Sequence, residues 1–121
     1  MTHWTQQRWN SFRFAAHGLR TAWRTEVNLR IHVAVALATV ALGVSFHLQA
    51  WEWMAVIGCI VLVLAAELFN TCLEKLIDHL HPTRHRNIRR IKDMAAAAVL
   101  LTALGAVAVG LLIFLPKIFS L

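Results

Sequence analysis

The chain has 121 residues, of which 59% are hydrophobic, and it carries a net charge of +6 from twelve Lys and Arg against six Asp and Glu. That length suits one domain, and a mean hydropathy of +0.60 lies well above that of an ordinary soluble domain. A basic surplus fits nucleic acid or an anionic membrane surface; the apolar content favours the membrane, and no recognition-helix or RNA-binding signature argues otherwise, so no nucleic-acid partner is expected.

Residues 5–28 pattern as a helix lying on a membrane. Trp9, Phe12, Ala16, Leu19 and Trp23 recur at steps of three or four, beside a basic stripe of Arg13, His17, Arg20 and Arg24. A surface anchor that only touches anionic lipid accounts for the stripe as well as a functional role does. The first 30 residues lack the apolar core of a signal peptide, so no cleavage is expected.

Three spans follow, at about 31–48, 53–73 and 94–115. The last is the clearest: Met94–Leu115 contains 22 uncharged residues, and Pro116-Lys117 is expected to close it. At 1.5 Å per residue it measures about 33 Å, against a hydrocarbon core of roughly 30 Å. Arg8, Arg13, Arg20, Arg24 and Arg30 precede the first span. Arg84, Arg86, Arg89, Arg90 and Lys92 separate the second from the third, whereas His47–Glu52 holds no Lys or Arg. The positive-inside rule then places the N-terminus and the second connection in the cytoplasm and the C-terminus outside. Trp51 and Trp53 suit an outer interfacial belt. Cys59 and Cys72 sit in apolar stretches without a CxxC and read as packing residues.

The second span carries the informative residues. Glu67, Asn70, Glu74 and Asp78 lie at i, i+3, i+7 and i+11, within an arc of roughly 80° on one helix face. Ionisable groups at membrane depth are costly and mark a functional site by default. Glu26 stands at the entrance of the first span, and Lys92 and Asp93 at that of the third, at the same level of the membrane. Carboxylates plus an amide oxygen suit Mg²⁺, a lysine suits a phosphate, and a deeper carboxylate can take a proton from a lipid hydroxyl. Each residue also has a plainer role open to it: Asp93 as a helix cap, Lys92 as a snorkelling anchor, Glu74 and Asp78 as solvated turns. Glu67 and Asn70 are the hardest to account for in that way. His81-Pro-Thr-Arg-His85 has zinc-like spacing but no further ligands, and none of the five glycines opens a GxxxxGK[ST] loop.

The run Glu67-Leu-Phe-Asn70-Thr71-Cys72-Leu73-Glu74, with Asp78 and then Lys92-Asp93-Met-Ala-Ala-Ala-Ala-Val99-Leu100, closely resembles the prokaryotic diacylglycerol kinase family, which includes undecaprenol kinases. Gly18-Leu19-Arg20, Trp23 and Glu26-Val-Asn28-Leu-Arg30-Ile31-His32 resemble it too, so the likeness covers nearly the whole chain. The resemblance implies an all-α integral membrane protein of the bacterial inner membrane, with three transmembrane helices and an N-terminal amphipathic surface helix, assembled as a homotrimer. It implies transfer of the ATP γ-phosphate to a lipid hydroxyl with Mg²⁺ as cofactor. By position, Glu67 is the general base, Glu26 and Glu74 hold the metal and its nucleotide, and Asn70 supports them. Lys92, Asp93 and His85 contact ATP, while Arg20 and Trp23 line the lipid path beside Glu67; neighbouring protomers complete each site. Cys72, where a smaller residue is usual, and the all-alanine run after Asp93 depart from the family pattern at no catalytic position. The lipid is diacylglycerol or undecaprenol, with the Glu26–His32 and Phe114–Lys117 segments nearer the undecaprenol kinase branch. Competing readings are a small channel or proton-linked transporter with Glu67 in its path, and a non-catalytic membrane subunit. The channel leaves Lys92 and Asp93 without a task, and the subunit leaves Glu67 without one.

Overall fold

The computed structural model describes residues 2–83 and 85–121, and helices fill nearly all of them. Helix α1 spans His3–Thr25, α2 Val27–Ser45, α3 Ala50–Leu80 and α4 Arg86–Phe119. The last three are long and apolar enough to cross a membrane. Thr2 opens α1, its hydroxyl accepting the Thr5 N–H at 3.3 Å. The helix stops at Thr25, short of the 28 expected from its pattern. Glu26 takes an extended conformation (φ −113°, ψ 107°), so the chain breaks for one residue and restarts as α2. No glycine or proline marks that corner.

The α2–α3 turn is tight. Phe46 N–H donates to Leu42 O at 2.9 Å and Leu48 N–H to Gly43 O at 3.2 Å, while His47 takes the left-handed conformation (φ 54°) that such helix reversals need. Gly43 is fixed by contact: a Cβ there would lie 2.8 Å from the Trp53 ring and 2.9 Å from Leu48 Cδ1. Helix α3 starts three residues before the expected Trp53 because Gln49 and Glu52 form a reciprocal capping box, with Gln49 N–H donating to Glu52 Oε1 at 3.0 Å.

At their other ends α3 and α4 outrun the apolar spans, α3 to Leu80 and α4 back to Arg86. At 31 and 34 residues they measure about 46 and 51 Å, well over a roughly 30 Å hydrocarbon core. His85 caps α4, its Nδ1 accepting the Asn87 N–H at 3.2 Å. Pro116 does not end α4, which continues to Phe119. Lys117, in that added turn, pairs with the buried carboxylate of Glu52 at 3.1 Å and draws the end of α4 onto the start of α3.

Helix α3 is the hub, packed against α4 along most of its length and against α2; α1 touches mainly α2. The core lies near the α2–α3 turn, where Leu48, Val56, Ile113 and Phe114 are buried and Phe46 meets Phe114 edge-on at 6.1 Å. Away from it, large apolar residues such as Leu37, Leu101 and Leu112 face outward. A membrane, or another copy of the chain, accepts such a surface; water does not.

Candidate active site

Glu67 sits in the middle of α3 and is 4% exposed. Its Oε2 lies 3.7 Å from Nε2 of His32 on α2. One turn further along α3, Asn70 turns its amide toward Glu74, with Nδ2 donating to Oε1 at a long 3.5 Å. The carbonyl oxygen Oδ1 of Asn70 is buried with no hydrogen-bond partner. Such an atom is costly to leave unsatisfied, and as a hard oxygen it can accept a hydrogen bond or a cation. The face then opens: Glu74 is half-buried and Asp78 exposed.

Glu26, at the α1–α2 corner, meets α3 through a residue outside the expected set. Lys75 Nζ lies 3.1 Å from Glu26 Oε1 and donates to Thr25 Oγ1 at 3.2 Å, while the Thr25 hydroxyl donates to Thr21 O at 2.9 Å and stands 3.3 Å from the same Glu26 oxygen. At that exposure the pair contributes no more than about 1 kcal/mol. Its effect is on the Glu26 carboxylate, whose present counter-ion is an ammonium.

On the α4 side, Lys92 pairs with Asp78, joining α3 to α4 beyond the apolar spans. Asp93 lies seven residues inside α4 rather than at its cap, and pairs with Arg89 one turn away at 3.3 Å. A cavity of about 500 Å³ occupies the α3–α4 connection, lined among others by Asp78, His81, His85, Arg86, Arg89 and Lys92. Its basic lining suits phosphate. A second cavity, about 510 Å³ and almost wholly apolar, runs between α2, α3 and α4 from Ile31 and His32 to Leu42 and Phe114.

The structure thus brings Asn70 to Glu74, and His85 to Lys92. No hydrogen bond or ion pair among the described residues joins Glu26 to Glu74 or Lys92 to Asp93. Arg20 and Trp23 are exposed on α1. Sequence reasoning missed His32 as the neighbour of Glu67 and Lys75 as that of Glu26. The available signal was adjacency for Lys75, next to Glu74, and position near a span end for His32; neither specifies a partner.

A helical membrane protein with a buried acid, an open acidic face and a basic cavity at one end of its longest helices defines a narrow class. A family model described as prokaryotic diacylglycerol kinase matches residues 13–114. The chain is 39% identical over 114 residues to a diacylglycerol kinase of Synechocystis, covering 92% of this chain and 64% of that protein. It is 37% identical over 108 residues to an undecaprenol kinase of Bacillus subtilis, covering 89% and 88%. A diacylglycerol kinase of Escherichia coli is 31% identical over 90 residues, 74% of each chain. The chain belongs to the prokaryotic diacylglycerol kinase family.

Proposed function

We propose that this chain is an ATP-dependent lipid kinase that moves the γ-phosphate of ATP to the hydroxyl of a membrane lipid, diacylglycerol or undecaprenol. One observation carries the reading: the Glu67 carboxylate, 4% exposed within an apolar helix, heads a face that opens through Asn70 and Glu74 toward the basic end of α3 and α4. The names of the relatives, diacylglycerol kinase and undecaprenol kinase, support it. A channel would use Glu67 alone and gives the Lys92 and His85 cavity no task.

In this reading Glu67 takes the hydroxyl proton as general base, and its burial holds the acceptor away from water. Lys92 and His85 share the cavity that meets the phosphates, with Asp93 at the same level of α4. Mg²⁺ fits the donors present: the unpaired Asn70 Oδ1 and the carboxylates of Glu74 and Glu26 are hard oxygens. Among the described residues no three acidic, His or Cys side chains cluster closely enough to hold a metal alone. That suits an ion which keeps phosphate and water oxygens. When bound, the ion neutralises charge on the phosphates. Arg20 and Trp23 line the lipid path on α1, which lies on the cytoplasmic membrane surface. The chain assembles as a homotrimer whose sites draw residues from neighbouring protomers.

The test is transfer of labelled γ-phosphate from ATP to diacylglycerol and to undecaprenol, side by side in mixed micelles. Label in one lipid, dependent on the protein, is the expected result. No transfer to either lipid by folded protein would remove the kinase reading.

A further inference from the structure

We propose that His32 is the proton relay of Glu67: it takes the proton that each turnover leaves on the buried carboxylate and passes it to solvent. The inference rests on the reading of Glu67 as general base. It starts from a problem of access. As the lipid oxygen bonds to the γ-phosphorus, the bond from that phosphorus to the leaving oxygen breaks, and its electron pair departs on ADP. The hydroxyl proton stays on Glu67 Oε2. The Glu67 side chain is 6% exposed, so water has little access to that proton, yet it must leave before the next hydroxyl can react.

The structure supplies one ionisable neighbour. His32 Nε2 stands 3.7 Å from Glu67 Oε2; on the single chain its side chain is 25% exposed against 6% for the acid, and it lies at the start of the first span, next to the expected cytoplasmic surface. Contacts of this kind are often long before substrate binds and shorten in the working complex. An imidazole has two nitrogens, so it accepts at one and releases at the other. With its proton initially on Nδ1, His32 accepts from Glu67 at Nε2 and gives the Nδ1 proton to water. Glu67 returns to carboxylate, and His32 regains its first tautomer by exchange with solvent. No proton is created or lost: one leaves the lipid hydroxyl and one reaches water.

Other elements leave the pair alone. Among the described residues neither His32 nor Glu67 forms a second ion pair. Helix α4 presents the uncharged stretch from Met94 to Leu115. Along α2 the nearest ionisable groups are Arg30 and Glu26, the latter held by Lys75; along α3 they are Cys72 and Glu74, with Cys59 lining the same apolar cavity as His32; α1 ends with Arg24. His32 acts through Glu67 and is a positioning and relay residue rather than one that touches the phosphate.

The experiment compares His32→Ala, His32→Gln and Glu67→Gln with the wild type, in kinetics across pH and with added imidazole. The apolar cavity of about 510 Å³ reaches His32, so a free imidazole has room to stand where the side chain was removed. For His32→Ala we expect kcat to fall about a hundredfold, the low end of general acid–base effects, with KM for ATP and lipid little changed. Imidazole should restore part of the rate, more as pH rises and the free base accumulates. His32→Gln keeps a hydrogen-bonding group but carries no proton, and should fail as well. Glu67→Gln should be inactive and gain nothing from imidazole. Wild-type turnover in His32→Gln or His32→Ala overturns the relay and leaves Glu67 as base. A loss that imidazole does not relieve, with an unchanged pH profile, makes His32 a packing residue and overturns it too. Turnover in Glu67→Gln removes the base and the relay together.

Discussion

Two acidic residues of the candidate site are each matched to one basic neighbour, and the two matches differ in kind. Glu67 faces an imidazole inside the bundle, whereas Glu26 faces the ammonium of Lys75 at its edge. A cation arriving at Glu26 competes with that ammonium. Replacing Glu26 or Glu74 by Ala should raise the Mg²⁺ concentration for half-maximal rate and lower turnover. Lys75→Met should lower that concentration, because it removes the competing charge. Mg²⁺ titration of activity checks all three, and unchanged half-saturation in both acid variants would take them out of the metal site. The acidic face itself was legible in the sequence, since four positions on one helix need only a step of 100° to be aligned. The pairing of Glu67 with His32, of Glu26 with Lys75 and of Asp78 with Lys92 was not. Each joins residues on different segments, and periodicity within one helix says nothing about the rotation of its neighbour.

At the scale of the helices, boundaries moved where local chemistry outweighed hydropathy. The capping box at Gln49 and Glu52 starts α3 early, and the extended backbone of Glu26 stops α1 without a breaker residue. Charged residues at the other end of α3 and α4 end the apolar run but not the helix, since Arg, Lys and Glu are good helix formers. Gly43 shows how closely α2 meets the start of α3. With Gly43→Ala the added methyl meets a rigid indole ring at 2.8 Å, so Trp53 must move. Overpacking of this sort costs about 1–3 kcal/mol. Thermal unfolding in detergent should show a lower midpoint for Gly43→Ala, while Gly58→Ala, inside α3 with nothing within 4 Å, should match or exceed the wild type because alanine is the better helix former.

For the molecule as a whole, the three apolar helices were legible because a soluble fold rarely calls for uninterrupted apolar runs of that length. Orientation rests on the distribution of Arg and Lys. A reporter fused after Leu121 should therefore read outside, and one inserted at Thr83 should read cytoplasmic. The opposite result would move the candidate nucleotide cavity to the wrong side of the membrane for ATP. Outward-facing Leu37, Leu101 and Leu112 leave much apolar surface uncovered by this chain, and no pattern in one sequence divides that surface between lipid and a second copy.

The two interhelical ion pairs at opposite ends of α3 and α4 act together as a length gauge. Twenty-six residues separate Glu52 from Asp78 on α3, and twenty-five separate Lys92 from Lys117 on the antiparallel α4. At 1.5 Å per residue the spans are about 39 and 38 Å, matched to within one residue. Removing a single residue from the middle of α4 would shorten its span by about 1.5 Å and turn one end against the other by about 100°. Lys92 and Lys117 could then not both face their partners. The alanine-rich stretch between them thus tolerates exchange of side chains far better than a change in their number.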